Sequence, residues 1–351
     1  MERYVGIDAH AASCTLAVVS ASGKRLQSLV VETNGQALVN AIKTIPGRLH
    51  VCLEEGTQSA WLYELLQPHV EEVVVMVAPE TKGPKSDARD AWTRAEELRV
   101  GAIDTRVFKA PAQFAFLRNA VRAQLIAVRD LSRAKNRLRA VFRSRGVRVR
   151  RQAYAEAART LWMKQLPTSH QRLAQWLGQQ LDALKPLHDA AEKWLLEEAK
   201  THPIITTLKT APGMGSIRTA QVVAIVVNPF RFRTRQQFWS YCGLGIVTRT
   251  SSDWVQDEAG RWLRAQVPQT RGLSRKRNPL LKSVFKGAAT TVILQMPEHP
   301  LHANYQRMLQ AGIKPNLAKL TLARKIAAIV LSMWKHKEVY DPQRHGVAVT
   351  A

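Results

Sequence analysis

Cysteine, acidic residues and long apolar runs are all scarce in this sequence of 351 residues. The three cysteines, Cys14, Cys52 and Cys242, are isolated from one another, which excludes a disulfide framework and a CxxC metal clip. No run of about 18 apolar residues occurs, so the sequence predicts no membrane-spanning helix. Its first residues enter a strand pattern directly, without the layout of a signal peptide, and we therefore expect a cytoplasmic protein.

The shortage of acid is confined to one part of the chain. In total 52 Lys and Arg stand against 27 Asp and Glu, a net charge of +25. The first 100 residues carry 10 basic and 13 acidic residues, so the whole excess lies in the remainder. A near-neutral N-terminal region followed by a strongly basic remainder predicts a polyanionic partner. Lysine and arginine side chains that neutralise phosphates release counterions, and this release strengthens binding. Nucleic acid is the expected partner, and a membrane surface is not.

Short apolar runs and turn residues predict strands in the first 80 residues. Asn34 is expected to cap a helix that follows the third of these strands. The predicted strands are Tyr4–Asp8, Cys14–Ser20, Leu26–Glu32, Leu49–Leu53 and Val70–Val77. Three strands joined by tight turns and followed by β-α units are typical of a mixed α/β sheet of the ribonuclease-H or resolvase type.

The rest of the sequence is helical in pattern. Residues 111–160 hold 13 basic and 2 acidic residues, with apolar residues at helical spacing from Leu117 to Phe142. Tyr154–Lys200 continues the pattern with a break at Pro167, which predicts an antiparallel helical hairpin or coiled coil. We predict three domains: an α/β domain (1–110), a basic helical segment (111–200) and an all-α C-terminal domain (201–345). In the C-terminal domain, a glycine turn at 211–215 either binds a DNA phosphate through its backbone N–H groups or only allows two helices to pack closely.

Four acidic residues are candidates for a metal site. Asp8 ends the first strand and Glu54 ends the fourth, while Asp87 and Asp90 are three residues apart at a predicted helix start. Carboxylates placed in this way can hold two divalent ions that align the oxygens of a phosphodiester. Mg²⁺ suits them, with Mn²⁺ as an alternative. Alternatively, Asp87 caps its helix and Glu54 is a surface acid. Since Glu54 and Glu55 are adjacent, only one can enter the site, and the strand end at Leu53 favours Glu54.

A second candidate is Ser251, in a loop that also contains Ser252. The loop lacks a GxSxG elbow and a nearby His–Asp pair, so residue type alone does not mark a nucleophile. A nearby cation such as Arg249 could favour a serine alkoxide. Further on, basic residues accompany Trp254 and Trp262, a pattern that fits either stacking on unpaired bases or plain solubility.

Several motifs in order resemble the insertion sequence 110 family of transposases, including its 1111 branch, over nearly the whole chain. They are YVGIDAH, LEEG, SDARDA, APGMGSIRTAQVVA, RFRTRQQFWSYCGL, NPLLKSVFKGAA and LAKLTLARKIAAIVLSMWKHKEVY. The resemblance implies an Asp-Glu-Asp-Asp nuclease domain with metal ligands at Asp8, Glu54, Asp87 and Asp90. It also implies a C-terminal transposase domain whose nucleophile is the serine eight residues beyond Gly243, which is Ser251.

The resemblance also implies a mechanism and a set of partners. The serine is expected to attack DNA and hold it covalently, with the acidic tetrad and Mg²⁺ supplied across the interface of a homo-oligomer, a dimer or tetramer. A structured guide RNA encoded by the element is expected to pair with double-stranded donor and target DNA. This chain has Ile246 where the family often has proline and Ser252 where it often has glycine, so Ser252 stays open as the nucleophile.

The leading hypothesis is therefore a site-specific DNA recombinase of a mobile element. A junction-resolving nuclease that uses only the acidic tetrad and water is the nearest alternative. A basic nucleic-acid scaffold with structural acids is the other.

Overall fold

The computed structural model of the protein divides into two units, Met1–Ala112 and Gln113–Ala351. The structure describes residues 1–77, 86–149, 154–249, 254–264, 269–273 and 277–345. The predicted division into three domains stays a prediction.

The alternating apolar residues of the first unit form one mixed sheet. Its strands are β1 (Glu2–Ala9), β2 (Ser13–Ser20), β3 (Arg25–Glu32), β4 (Arg48–Glu54) and β5 (Glu72–Met76). Their order is β3-β2-β1-β4-β5. The hairpins β1–β2 and β2–β3 are antiparallel, whereas β4 is parallel to both β1 and β5. This confirms the predicted mixed sheet, although the fifth strand is shorter than the apolar run that predicted it.

Three helices cover the two faces of this sheet: α1 (Gly35–Thr44), α2 (Ser59–Leu66) and α3 (Asp87–Arg99). Val5 and Ile7 of β1 belong to the core cluster that includes Leu38 of α1 and Leu62 of α2. Because successive side chains of a strand alternate between faces, the neighbours of these residues point to the opposite face, where α3 packs. The predicted cap of α1 is confirmed, since the Asn34 side chain accepts a hydrogen bond from the Ala37 N–H at 2.8 Å.

The second unit is mainly helical, as predicted. Its helices are α4 (Ala115–Arg143), α5 (Glu156–Met163), α6 (Thr168–Lys200), α7 (Pro203–Leu208), α8 (Ser216–Val226), α9 (Arg235–Tyr241), α10 (Pro279–Gln295), α11 (Pro300–Gln310), α12 (Pro315–His336) and α13 (Pro342–His345). Leu117 near the start of α4 shares a cluster with Leu195 near the end of α6, and Phe142 shares one with Ala174. The two long helices therefore run antiparallel, which confirms the helical hairpin. Within the described residues, no helix is both long and apolar enough to span a membrane.

Four short strands interrupt the helices between α9 and α10. They are β6 (Ile246–Arg249), β7 (Trp254–Gln256), β8 (Trp262–Arg264) and β9 (Gln269–Leu273). β6 pairs with β9 and β7 with β8, both antiparallel. The sequence does not predict these two ribbons, because strands of three to five residues are too short to show an alternating pattern.

The glycine turn before α8 is explained by packing. Gly213 has a φ of +71°, and a side chain there would overlap the carbonyl oxygen of Ala288 in α10. Both the backbone conformation and the close approach of the two chain segments require glycine.

Candidate metal centre

The end of β1 lies directly beneath α3 because of Gly6. Tyr4, Gly6 and Asp8 alternate with the core residues Val5 and Ile7, so they point toward α3. A Cβ at Gly6 would overlap the carbonyl oxygen of Ala91 and lie 2.6 Å from the Ala95 nitrogen. Glycine therefore allows the helix backbone to rest on the strand. This contact brings the first turn of α3 close to the carboxyl end of β1.

The first turn of α3 carries Asp87 and Asp90, as the spacing predicted. The residue that caps the helix is Ser86, whose hydroxyl accepts a hydrogen bond from the Arg89 N–H at 3.4 Å. The interpretation of Asp87 as the helix cap is therefore wrong. Its carboxylate instead faces the end of β1.

Asp8 and Asp87 meet at a histidine. His10 Nε2 lies 3.1 Å from Asp8 Oδ2 and 3.4 Å from Asp87 Oδ1. One ligand atom from each of the three residues falls within 4.8 Å of the others, and no other group of this kind occurs among the described residues. The negative charge of Asp8 raises the pKa of His10, with a smaller contribution from Asp87.

Glu54 lies at the same sheet edge as Asp8 but is paired differently. Ile7 is in register with Leu53, so Asp8 and Glu54 are the next residues on neighbouring parallel strands. The Glu54 carboxylate forms an ion pair with Arg94, a buried residue of α3 that also donates to Glu97 at 3.3 Å. Glu54 therefore points to the helix that carries Asp87, although it is outside the three-residue cluster.

Glu55 points elsewhere. It accepts a hydrogen bond from Ser59 of α2 at 3.0 Å and forms an ion pair with Lys109. Asp90 is half-buried in the first turn of α3 and is likewise outside the cluster of Asp8, His10 and Asp87. The structure thus brings Asp8 and Asp87 together, while Glu54 lies at the end of β4 and Asp90 lies in the first turn of α3.

His10 was missed by the sequence analysis. A usable signal exists in YVGIDAH, because residues 8 and 10 are two apart at a strand end and so project to one side. The donor set of two carboxylates and one imidazole fits a divalent cation. Carboxylate oxygens suit Mg²⁺ and Mn²⁺, and an imidazole is more readily accepted by Mn²⁺ and later transition metals.

The second predicted site falls largely outside the described residues. Ser251 and Ser252 are among the residues that the structure leaves undescribed. Trp254 and Trp262 are described: they lie on the β7–β8 hairpin with 56% and 62% of their surface exposed.

The five-stranded mixed sheet with its helices, followed by a mainly helical unit, defines a ribonuclease-H-like α/β domain joined to a helical region. Comparison with known proteins agrees. Residues 5–145 match a family model described as a transposase, of the IS110 Asp-Glu-Asp-Asp type, and residues 205–306 match the model "Transposase IS116/IS110/IS902 family".

A full-length relative supports the same assignment. The "Insertion element IS116 uncharacterized 44.8 kDa protein" of Streptomyces clavuligerus is 24% identical, over 97% of this chain and 96% of that protein. The chain belongs to the IS110 family of transposases, and it is a DNA transposase. The resemblance noted from the sequence motifs is confirmed.

Proposed function

We propose that this protein is a site-specific recombinase of an insertion sequence that cuts and rejoins DNA with two groups of residues. One is the acidic cluster of the first unit, and the other is a serine of the second. The observation that carries the proposal is the meeting of Asp8, His10 and Asp87 at the carboxyl edge of the sheet. All three residues lie at or near the surface, where a cation in solution can reach them.

In this proposal Asp8, His10 and Asp87 hold a divalent cation, and Glu54 and Asp90 complete its surroundings. A bound Mg²⁺ or Mn²⁺ would supply Lewis-acid stabilisation of the negative charge on a phosphoryl oxygen. Arg94 keeps Glu54 at the sheet edge by their ion pair. His10 Nε2 lies between the two aspartates, where its neutral form would offer a lone pair to the cation.

The nucleophile proposed is Ser251, with Ser252 as the alternative. The serine Oγ would lose its proton and form a bond to phosphorus, while the bond from phosphorus to one sugar oxygen breaks and that oxygen takes up a proton. The phosphoester energy is retained in the protein–DNA link, so a hydroxyl of another strand can later displace the serine and rejoin the DNA. The resemblance to the family supports this assignment through the spacing from Gly243.

The partners proposed are double-stranded donor and target DNA, a structured guide RNA and a second or further copies of the chain. The positive charge of the second unit supports a nucleic-acid partner. The family resemblance supports the RNA and the sharing of a composite site between subunits. A protein acting on chromosomal DNA would work in association with the nucleoid.

The test is a search for a covalent protein–DNA adduct on a denaturing gel. The full chain would be expressed with its native flanking DNA, and the DNA ends supplied with Mg²⁺ or Mn²⁺. We expect an adduct with the native protein and its loss in Ser251→Ala and Glu54→Gln. Ser252→Ala and Glu55→Gln are the matched controls and should retain it. Metal-dependent cleavage without any adduct would overturn the serine mechanism and favour the junction-resolving nuclease.

A further inference from the structure

A groove of about 420 Å³ lies on the surface formed by α10 and α12. Lys282 and Lys286 of α10 stand one turn apart on one side, and Lys319 of α12 stands on the other. Its remaining lining comes from α10 and is small or hydroxylated: Pro279, Ser283, Gly287 and Thr290. The three lysines are therefore the charged residues that line the groove.

The positive charge of this groove is uncompensated. The sequences of α8, α10 and α12 contain no Asp or Glu. Among the described residues, none of Lys282, Lys286 and Lys319 forms an ion pair with a carboxylate. Burial lowers the pKa of Lys282, and the charges of Arg277 and Lys286 lower it further. Like charges held together in this way favour an external anion.

A further cation lies beneath the floor. A Cβ at Gly287 would be 3.2 Å from Arg218 Nε, so the missing side chain leaves the guanidinium close to the groove. Arg218 is fixed there by hydrogen bonds from Nη1 to the Gly213 carbonyl oxygen at 2.7 Å and to the Thr291 hydroxyl at 3.0 Å. Neither of these partners carries a negative charge, so the field of Arg218 adds to that of the lysines.

Residues at α10 and α12 also contact the turn at residues 241–245, which precedes Ser251 in the chain. The Asn278 N–H, at the start of α10, donates to the Tyr241 carbonyl oxygen at 2.8 Å. Arg324 Nε of α12 donates to the Leu244 carbonyl oxygen at 2.7 Å. Gly243, with a φ of +66°, lies against the side chain of Arg277, where a Cβ would overlap it. An anion in the groove would thus be bound by the elements that anchor this turn.

We propose that the α10–α12 groove binds the phosphodiester backbone of the DNA substrate, with Lys282, Lys286 and Lys319 each contacting phosphate. The two lysines of α10 are separated by about 6 Å along the helix axis, a spacing that allows them to reach different phosphates of one strand. The choice of DNA as the polyanion rests on the proposed function, because the turn anchored beside the groove precedes the serine. Phosphate contacts of this kind position a nucleic acid without reading its sequence.

The experiment measures the salt dependence of binding by the full chain. Fluorescence anisotropy with a labelled duplex DNA of mixed sequence would be followed over a series of salt concentrations. EDTA is present and Ser251 and Ser252 are both replaced by Ala, so that no cleavage contributes. Each lost phosphate contact lowers the slope of log affinity against log salt by about one, so Lys282→Gln/Lys286→Gln/Lys319→Gln should lower it by about three.

The matched control removes the same number of charges from α6. Lys185 and Lys193 each lie 3.9 Å from a carboxylate, Asp189 and Glu197, and Lys200 is exposed at the end of that helix. Their triple replacement by Gln should change the slope by less than about one. Replacement of the groove lysines by Arg should restore the native slope, and the circular dichroism melting curve should be the same for all variants.

An equal loss in the two Gln triples would overturn the groove, because net charge alone would then explain it. A loss confined to a hairpin RNA probe of the same length, with duplex DNA unaffected, would overturn the assignment to DNA. If the slope decreases as expected but no adduct is found, the result supports the groove and contradicts the serine mechanism. If an adduct forms but the slope does not change, the result supports the serine mechanism and contradicts the groove.

Discussion

In the first unit Asp8, Asp87 and Glu54 each have a basic side chain beside them. In the second unit, by contrast, α8, α10 and α12 carry cations and contain no carboxylates. His10 lies between Asp8 and Asp87, and Arg94 pairs with Glu54. Partly neutralised acids can stay close together at low cost in repulsion. Cations without a nearby carboxylate instead attract an anion from outside the protein.

The contrast suggests two separable tasks. In the proposed function the first unit would supply the groups for chemistry on a phosphate, and the second would supply affinity for the DNA. A single net charge of +25 conceals this difference, since the first 100 residues contribute none of the excess. If the tasks are separate, variants of one unit should change rate without affinity, and variants of the other the reverse.

The largest expected effect tests that separation directly. Asp8→Asn and Asp87→Asn keep side-chain size but remove the charge from the cluster, so a divalent cation would lose its strongest ligands. We expect single-turnover strand cleavage to fall by about 10³-fold or more, equivalent to several kcal/mol of lost stabilisation.

DNA affinity of the same two variants should be unchanged or slightly tighter, since removing negative charge reduces repulsion from phosphate. Anisotropy in EDTA provides this control. A parallel loss of affinity and cleavage would show that the acids act on binding, and the contrast between the units would fail.

A smaller effect is expected from the contact that builds the acidic site. Gly6→Ala would place a methyl group against the backbone of Ala91 and Ala95, and α3 must move for it to fit. Overpacking of this kind costs about 1–3 kcal/mol, measured as the free energy of unfolding in urea. Cleavage should fall as well, because Asp87 moves with α3 while Asp8 stays on β1.

Gly56→Ala is the matched control. A Cβ at Gly56 meets nothing within 4 Å, so its unfolding free energy should lie within about 0.5 kcal/mol of the native value. Equal stability of the two variants would mean that α3 does not rest on β1 as described.

The two units also differ in how far the sequence predicts them. In the first, strands of eight residues and the cap at Asn34 leave clear local patterns, and the predicted elements were confirmed. The pairing of Glu54 with Arg94 joins residues 40 positions apart, so no local pattern could reveal it. His10 was overlooked although Asp8 stands two residues before it, because a histidine just beyond a strand end is more often a surface residue than a ligand.

In the second unit the helices follow from their apolar spacing, but the ribbons do not. Val255 and Leu263 are exposed although they are apolar and face each other across β7 and β8, which removes the usual inside–outside pattern. The groove on α10 and α12 was also not predicted. Its three lysines come together only when two helices distant in sequence pack side by side.

The smallest expected effect is the labelling of the cysteine thiols in the native protein. The same labelling, carried out in urea, tests whether the two units unfold independently. Cys14 and Cys52 are buried in the first unit and Cys242 in the second. Burial raises the pKa of Cys52 to about 12 and that of Cys242 well above its ordinary value. At pH 8 only about one Cys52 thiol in 10⁴ would be ionised, so we expect negligible labelling by a thiol reagent in native buffer.

In urea we expect the two units to unfold at different concentrations, because each has its own hydrophobic core. Cys14 and Cys52 should become reactive together at one urea concentration and Cys242 at another, as read by mass spectrometry of the labelled peptides. Labelling of Cys52 in native buffer would contradict the packing of β4 against α3. A single shared midpoint for all three thiols would show that the two units unfold as one, and their difference would then be one of charge rather than of independent folding.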